Sequence, residues 1–447
     1  MVPSFSRGAQ PRIACDVFRL ENGLTVVLHR DPGSPGVSVR LSYRVGSANE
    51  PPGATGVAHF LEHLMFEGSA NVPAGAFDRW LEDAGGRANA ATAEDFTTFW
   101  QDVPPAALEL ALFLESDRMA HLAEGLDSSV LERQKEVIEA ERRYLYDARP
   151  YADAEWAMRS TLYPAGHPYA TPVIGKHEDV ASLSVDRVTG FYRAHYHPAN
   201  ASLVVAGPIE IDSTLALIER WFSSIRPGEP TPVPDVEPIR LDEDRYVVVT
   251  DAVPAAKLGL YWPSAPVRSP GEPGLVVLAD LIGASPSSRL REVLIRERGL
   301  AASVDARQES LRHGGIFSIE VVAQPGQALD PVLRAVDEVL RSMMEDRSSA
   351  GGISKAEVRQ SVAGHATEFL AGMEPIGGYG GLAGQMSTCW IYLDEPDCFS
   401  RDLARYRGLT VDDVRSSARR WLDTGRVVVS VVPRGLRKLA VTPSEER

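Results

Sequence analysis

The sequence is poor in cysteine, with only Cys15, Cys389 and Cys398 among 447 residues. Three is too few, and too odd, for a disulfide framework, and the count points to a reducing compartment. No Cys-x-x-Cys pair occurs, so any metal must be held by imidazole and carboxylate groups. Positive charge is also in deficit: 46 Lys+Arg stand against 61 Asp+Glu, for a formal net charge of −15. A nucleic-acid binder needs a basic face to displace counterions, and that class is set aside. No apolar run approaches the ~18 residues that span a bilayer. The start, Met1 to Cys15, carries Arg7 and Arg12 without an apolar stretch. That argues against a secretory signal, leaves a transit peptide as the alternative, and makes a cytoplasmic protein the expectation.

What remains is a globular composition, 44% hydrophobic and 24% charged, in a chain long enough to bury a core without crosslinks. Phe18 to Arg30 reads as a hairpin about Asn22-Gly23, and Val37 to Val45 as an alternating strand. Helices are expected at Gly56–Gly68, Ala74–Ala84, Pro104–Glu124 and Ser128–Tyr146, with two short strands within Arg87–Trp100. Arg226 to Pro238 is the most proline-rich window and reads as a linker. Leu183-Ser-Val-Asp-Arg-Val188 and Leu409-Thr-Val-Asp-Asp-Val414 each precede a helix, a break and a valine-rich strand, at an offset of 409 − 183 = 226 residues. The repeat and the linker together predict two tandem α/β domains: 1–225, then the linker 226–240, then 241–447.

The informative segment is His59-Phe-Leu-Glu62-His63. On a helix, positions four apart share a face, so both imidazoles reach one ion, with Glu62 beside them. Two neutral imidazoles and a carboxylate suit zinc, and Glu62 is placed to take a proton from an attacking water. Two surface histidines beside an unrelated glutamate are the bland alternative. With ten histidines in the chain, chance supplies this pattern in only ~1–2% of such sequences. Candidates for the third ligand are Glu132, Glu136, Glu139 and Glu141. Gln134, Val137, Ile138 and Glu141 form one inward stripe, and a carboxylate on such a stripe needs a partner. Glu141, at 141 − 63 = 78 residues after the second histidine, is therefore the expected ligand, with Glu139 in reserve.

These residues resemble the pitrilysin/insulysin family of inverted zinc peptidases, whose H-x-x-E-H is followed some 75–80 residues later by a ligand glutamate. The similarity runs from Phe18 to Pro433, through GVAHFLEHLMFEGS, GGRANAATAEDFTTFW, HPYATPVIG and FYRAHYHPANASLVVAG. It implies a half-length member with one zinc ion and an α/β (α+β) fold. Each of its two similar domains is a mostly antiparallel sheet with helices on one face, and together they form half of a clam-like chamber. It also implies that an extended peptide adds to an edge strand at Asn89 and Ala90, and that Gln134 stands where relatives often carry a glutamate near the metal. Self-sufficient members carry an Arg and a Tyr, seven residues apart, that bind the substrate carbonyl. Here Ser287–Val304 places Ile295 and Ala302 there, and neither side chain donates a hydrogen bond. Arg296 is one residue out of register. The resemblance therefore implies a zinc-bearing subunit of a heterodimer, similar to processing peptidases and two-gene bacterial relatives, whose partner lacks the zinc motif and supplies the pair. A non-catalytic core subunit and a self-sufficient homodimeric oligopeptidase are the alternatives. Gly377-Gly-Tyr-Gly-Gly381 resembles a substrate-guiding glycine-rich segment, with a mobile loop or helix break as the alternative. Arg142, Arg143 and Arg149 read either as a substrate patch or as a solvated helix end.

Overall fold

The computed structural model describes residues 13–229, 231–345 and 352–443. The basic start of the chain lies, through residue 12, outside them. By contacts, the chain divides into two compact units.

The first unit comprises residues 1–139, 173–234 and 368–403. Its sheet has six strands: β1 (Asp16–Arg19), β2 (Thr25–Arg30), β3 (Val37–Tyr43), β4 (Arg87–Thr92), β5 (Thr97–Val103) and β6 (Ala201–Gly207). Their spatial order is β1-β2-β6-β3-β5-β4, antiparallel except for β2 beside β6. Gly23, at φ +91°, makes the turn of the expected β1–β2 hairpin. All seven residues of β3 are buried, because both faces of the sheet are covered. Register partners share a face, so Leu41 with Phe99 lie on one side and Arg40 with Trp100 on the other. On the Phe99 side sits the Leu108–Gly125 helix, whose buried Arg118 is paired with buried Glu115 and lies over the Phe99 ring. Against the other face packs the Leu382–Leu393 helix, a segment from late in the chain. There Leu382, Ala383 and Met386 join Val27, Val204 and Ala206 in one core, and Ser387 donates to Ser42 (2.6 Å).

The second unit comprises residues 140–172, 235–367 and 404–447. Its strands are β7 (Arg245–Asp251), β8 (Lys257–Ser264), β9 (Ala301–Leu311), β10 (Gly314–Ala323) and β11 (Val427–Pro433), in the order β7-β11-β8-β10-β9. Only β7 and β11 are parallel. Helices Glu272–Ala279, Leu329–Met344 and Val411–Leu422 bury their apolar stripes in its core.

The contact division thus falls at Pro234/Asp235, inside the proline-rich window, but the units are not sequential. Residues 140–172 count with the second unit and 368–403 with the first, an exchange that local periodicity cannot encode. The cysteine expectation also needs correction. Cys389 and Cys398 form a disulfide across the end of the Leu382–Leu393 helix, leaving Cys15 free. An odd count excludes complete pairing, not one local bond, so the count no longer supports a reducing compartment.

Candidate active site

The H-x-x-E-H segment lies on the Val57–Leu64 helix of the first unit. Val57, Ala58, Phe60, Leu61 and Leu64 are buried, which leaves His59, Glu62 and His63 half-buried on the remaining face. The helix starts at Gly56, whose φ of +90° and approach to the Ile174 carbonyl, 2.8 Å from where a Cβ would be, admit only glycine. The Glu50 side chain accepts from the backbone N–H groups of Gly56 (2.8 Å) and Ala58 (2.9 Å), two donors that the first turn leaves unmatched. Burial pushes this carboxyl up to about 8 despite those two bonds, with Asp179 adding to the rise. Nothing in the sequence separates Glu50 from other glutamates, because it acts across a loop on main-chain atoms.

The two imidazoles meet edge to face, with ring centroids 4.8 Å apart and an interplanar angle of 79°. Glu141 joins them from the Ser128–Arg142 helix. One ligand atom from each of His59, His63 and Glu141 lies within 4.8 Å of the others. Three ligands of a tetrahedral zinc, each at about 2.0–2.2 Å, stand about 3.3–3.6 Å apart. Two imidazoles and a carboxylate suit zinc in chemistry, and their atoms lie within reach of one another. Two nearby tyrosines report the acidity of the site. Burial raises the Tyr196 hydroxyl, with Glu62 and Glu50 adding to the rise, and Tyr146 is raised to about 12 by burial, then Glu155 and Glu141.

The other glutamates of that helix are turned elsewhere. Glu132 is exposed and paired with Lys135 (2.9 Å), Glu136 is exposed, and Glu139 is held by His177 Nδ1 at 2.7 Å. The expected stripe needs one correction: Val137 is 46% exposed, whereas Gln134, Ile138 and Arg142 are buried. The buried face therefore runs through positions 134, 138 and 141–142. Gln134 donates to Glu67, which also pairs with Arg133 (3.0 Å), so its amide is engaged by a carboxylate and not by an imidazole.

Strand β4 ends the first sheet, with Asn89 exposed. Asn89 Oδ1 accepts the N–H of Ala90 (2.8 Å), so the side chain proposed to bind substrate caps the adjacent main-chain donor. Asn89, Trp100 and Arg40 lie in one cross-strand row. The glycine-rich segment is tied to that row. Arg40 donates to the carbonyls of Gly378 (3.1 Å) and Tyr379 (2.9 Å), Asp102 accepts the Gly378 N–H (3.0 Å), and Tyr379 packs on Trp100 at 5.6 Å. These contacts anchor the turn at Gly378 and Tyr379.

The arginine patch resolves into unlike members: Arg142 is buried and lies over the Trp156 ring, while Arg143 and Arg149 are exposed. In the second unit Ile295 packs against the core, Ala302 is exposed, and Arg296 is engaged by Glu292 (2.6 Å).

This fold and this triad of donors are those of a metallopeptidase class, and the comparisons name it. A family model described as Insulinase (Peptidase family M16) matches residues 25–167, and one described as Peptidase M16 inactive domain matches residues 182–363. A zinc protease of Mycobacterium leprae, itself uncharacterised, is 31% identical over 352 residues, covering 76% of this chain and 75% of its own. The zinc protease PqqE of Helicobacter pylori is 28% identical over 367 residues, 81% of each chain. The crystal structure of a protease from Helicobacter pylori superposes with a TM-score of 0.86 at 24% identity, over 95% of this chain and all of that one, and so shares the fold. The chain belongs to the insulinase family, peptidase family M16. Among the described residues, no helix is long and apolar enough to cross a membrane.

Proposed function

We propose that this chain is the zinc-bearing subunit of an endopeptidase that hydrolyses extended peptides or leader segments inside a closed chamber. The observation that carries the reading is the convergence of His59, His63 and Glu141 beside Glu62. Zinc in such a donor set supplies Lewis acidity, polarising a carbonyl and acidifying water. In this reading His59, His63 and Glu141 hold the ion, and Glu62 takes the proton of the attacking water and passes it to the leaving amine. The peptide lies along β4, with Asn89 releasing the Ala90 N–H to the substrate main chain. Main-chain pairing of that kind asks little of substrate sequence.

The account includes a second chain. Ile295 and Ala302 offer no donor for the carbonyl oxygen, and loss of one such donor typically costs about 10²–10³ in rate. A homologous partner without the zinc motif supplies the missing Arg and Tyr. The test is peptide hydrolysis by the zinc-loaded chain alone and mixed with that partner. Weak turnover alone and full turnover in the mixture support the proposal; full turnover by the isolated chain ends it. A chain that binds no zinc would favour the non-catalytic reading.

A further inference from the structure

The second unit contains a cavity that the peptidase reading leaves unused. It has a volume of about 390 Å³ and lies beside the paired ends of β8 and β10, where Ser264 faces Gly315. That is the size of a small-molecule site. One wall is a run of flat rings: Tyr163 stacks on His167 (4.5 Å, 18°), His167 meets Tyr169 at 5.4 Å, and Tyr169 meets His313 at 5.8 Å. Pro238, Pro263, Pro266 and Pro270 also line it.

Two polar side-chain atoms of this cavity can donate and are unmatched. Trp421 Nε1 and Ser269 Oγ are buried atoms with no hydrogen-bond partner in the protein, an arrangement that costs free energy unless a ligand or water supplies an acceptor. His167 Nδ1 accepts the Tyr169 N–H (3.1 Å), which leaves its ring hydrogen on Nε2. Arg240 and Arg420 are exposed members of the lining, and neither is matched to a carboxylate among the described residues. In a chain with a net charge of −15, the lining contains no Asp or Glu at all.

We propose that this cavity binds a ring-bearing carboxylate, its ring on the Tyr163–His167 wall and its carboxylate toward Arg240 and Arg420. Flat rings favour stacking, and guanidinium groups take carboxylates through paired N–H donors. Two sources share this chemistry: a free aromatic acid, or the C-terminal residue of a peptide ending in an aromatic side chain. The site is independent of turnover at His59 and Glu141.

The test is calorimetric titration of the full chain, stripped of metal so that carboxylates cannot report the zinc site. The probes are 3-phenylpropanoate, its amide, and acetyl-Gly-Gly-Phe as free acid and as amide. The acids are expected to bind at least tenfold more tightly than the amides, and the double variant Arg240→Gln, Arg420→Gln to lose that difference. Both arginines are exposed, so an unchanged melting temperature verifies the fold. Binding confined to 3-phenylpropanoate assigns the free acid, and tighter binding of the peptide acid assigns a C-terminus. Equal binding of acids and amides, no saturation at millimolar concentration, or full affinity in the double variant overturns the proposal.

Discussion

Glu62 and Glu50 serve the same helix in different ways, and substitution separates them. Glu62 lies on the half-buried face with the imidazoles. Glu62→Gln is expected to keep the metal and the melting temperature while lowering kcat by about 10²–10⁴-fold, the usual worth of a general base. A variant that retained turnover would remove Glu62 from the proton path. Glu50 caps the helix through two accepted N–H bonds. Protonated or ionised, both carboxyl oxygens can accept an N–H, whereas glutamine has one acceptor oxygen and its amide would oppose the second N–H. Glu50→Gln is therefore expected to destabilise the chain by about 1–3 kcal/mol, read by denaturant unfolding. The pH dependence follows from the same group. Its carboxyl is raised from 4.5 to about 8 in the folded chain, so the folded state holds a proton that the unfolded state has released. The stabilisation is full below the unfolded value and is lost as pH rises toward 8. Metal-free protein should thus lose stability between pH 5 and 8, with a shallower slope in Glu50→Gln; equal slopes would contradict this assignment.

The clamped glycine-rich turn gives a prediction at the level of a segment. A Cβ on Gly377 would fall 1.8 Å from Asp102 Oδ1, so alanine there must displace either the Asp102 carboxylate that accepts the Gly378 N–H or the turn itself. Gly377→Ala, or Arg40→Ala, is expected to speed amide hydrogen exchange at 378–381 relative to the β3 strand beneath; unchanged exchange would mean that the clamp contributes nothing. That His59 and His63 share one face was legible, because their spacing is a property of one helix. The approach of Glu141 to the two imidazoles was legible in part, because the inward stripe of its helix is local too; Val137 lies off that stripe, since only 100° separates neighbouring residues and the stripe passes through Arg142 instead. Glu50, the Arg40–Asp102 clamp and the His177–Glu139 pair were not legible, because each joins residues brought together only by the finished fold.

Across the full chain, two sheets with helices follow from alternating and helical patterns, whereas the exchange of residues 140–172 and 368–403 between the units does not. Propensity fixes an element's type and leaves its packing partner open. The exchanged segment 368–403 carries the glycine-rich turn and both disulfide cysteines into the unit that bears His59 and His63. At this level the account predicts cooperation between chains: mixing with an Arg/Tyr-bearing homologue should raise kcat by about 10²-fold or more over the isolated subunit. Whether His59, His63 and Glu141 share one ion is decided by zinc stoichiometry from elemental analysis of the wild-type chain beside Glu141→Ala and Glu139→Ala. One zinc per wild-type chain, one in Glu139→Ala, and loss of zinc at equal free metal in Glu141→Ala are expected. Full occupancy in Glu141→Ala, or none in the wild type, would contradict a shared ion.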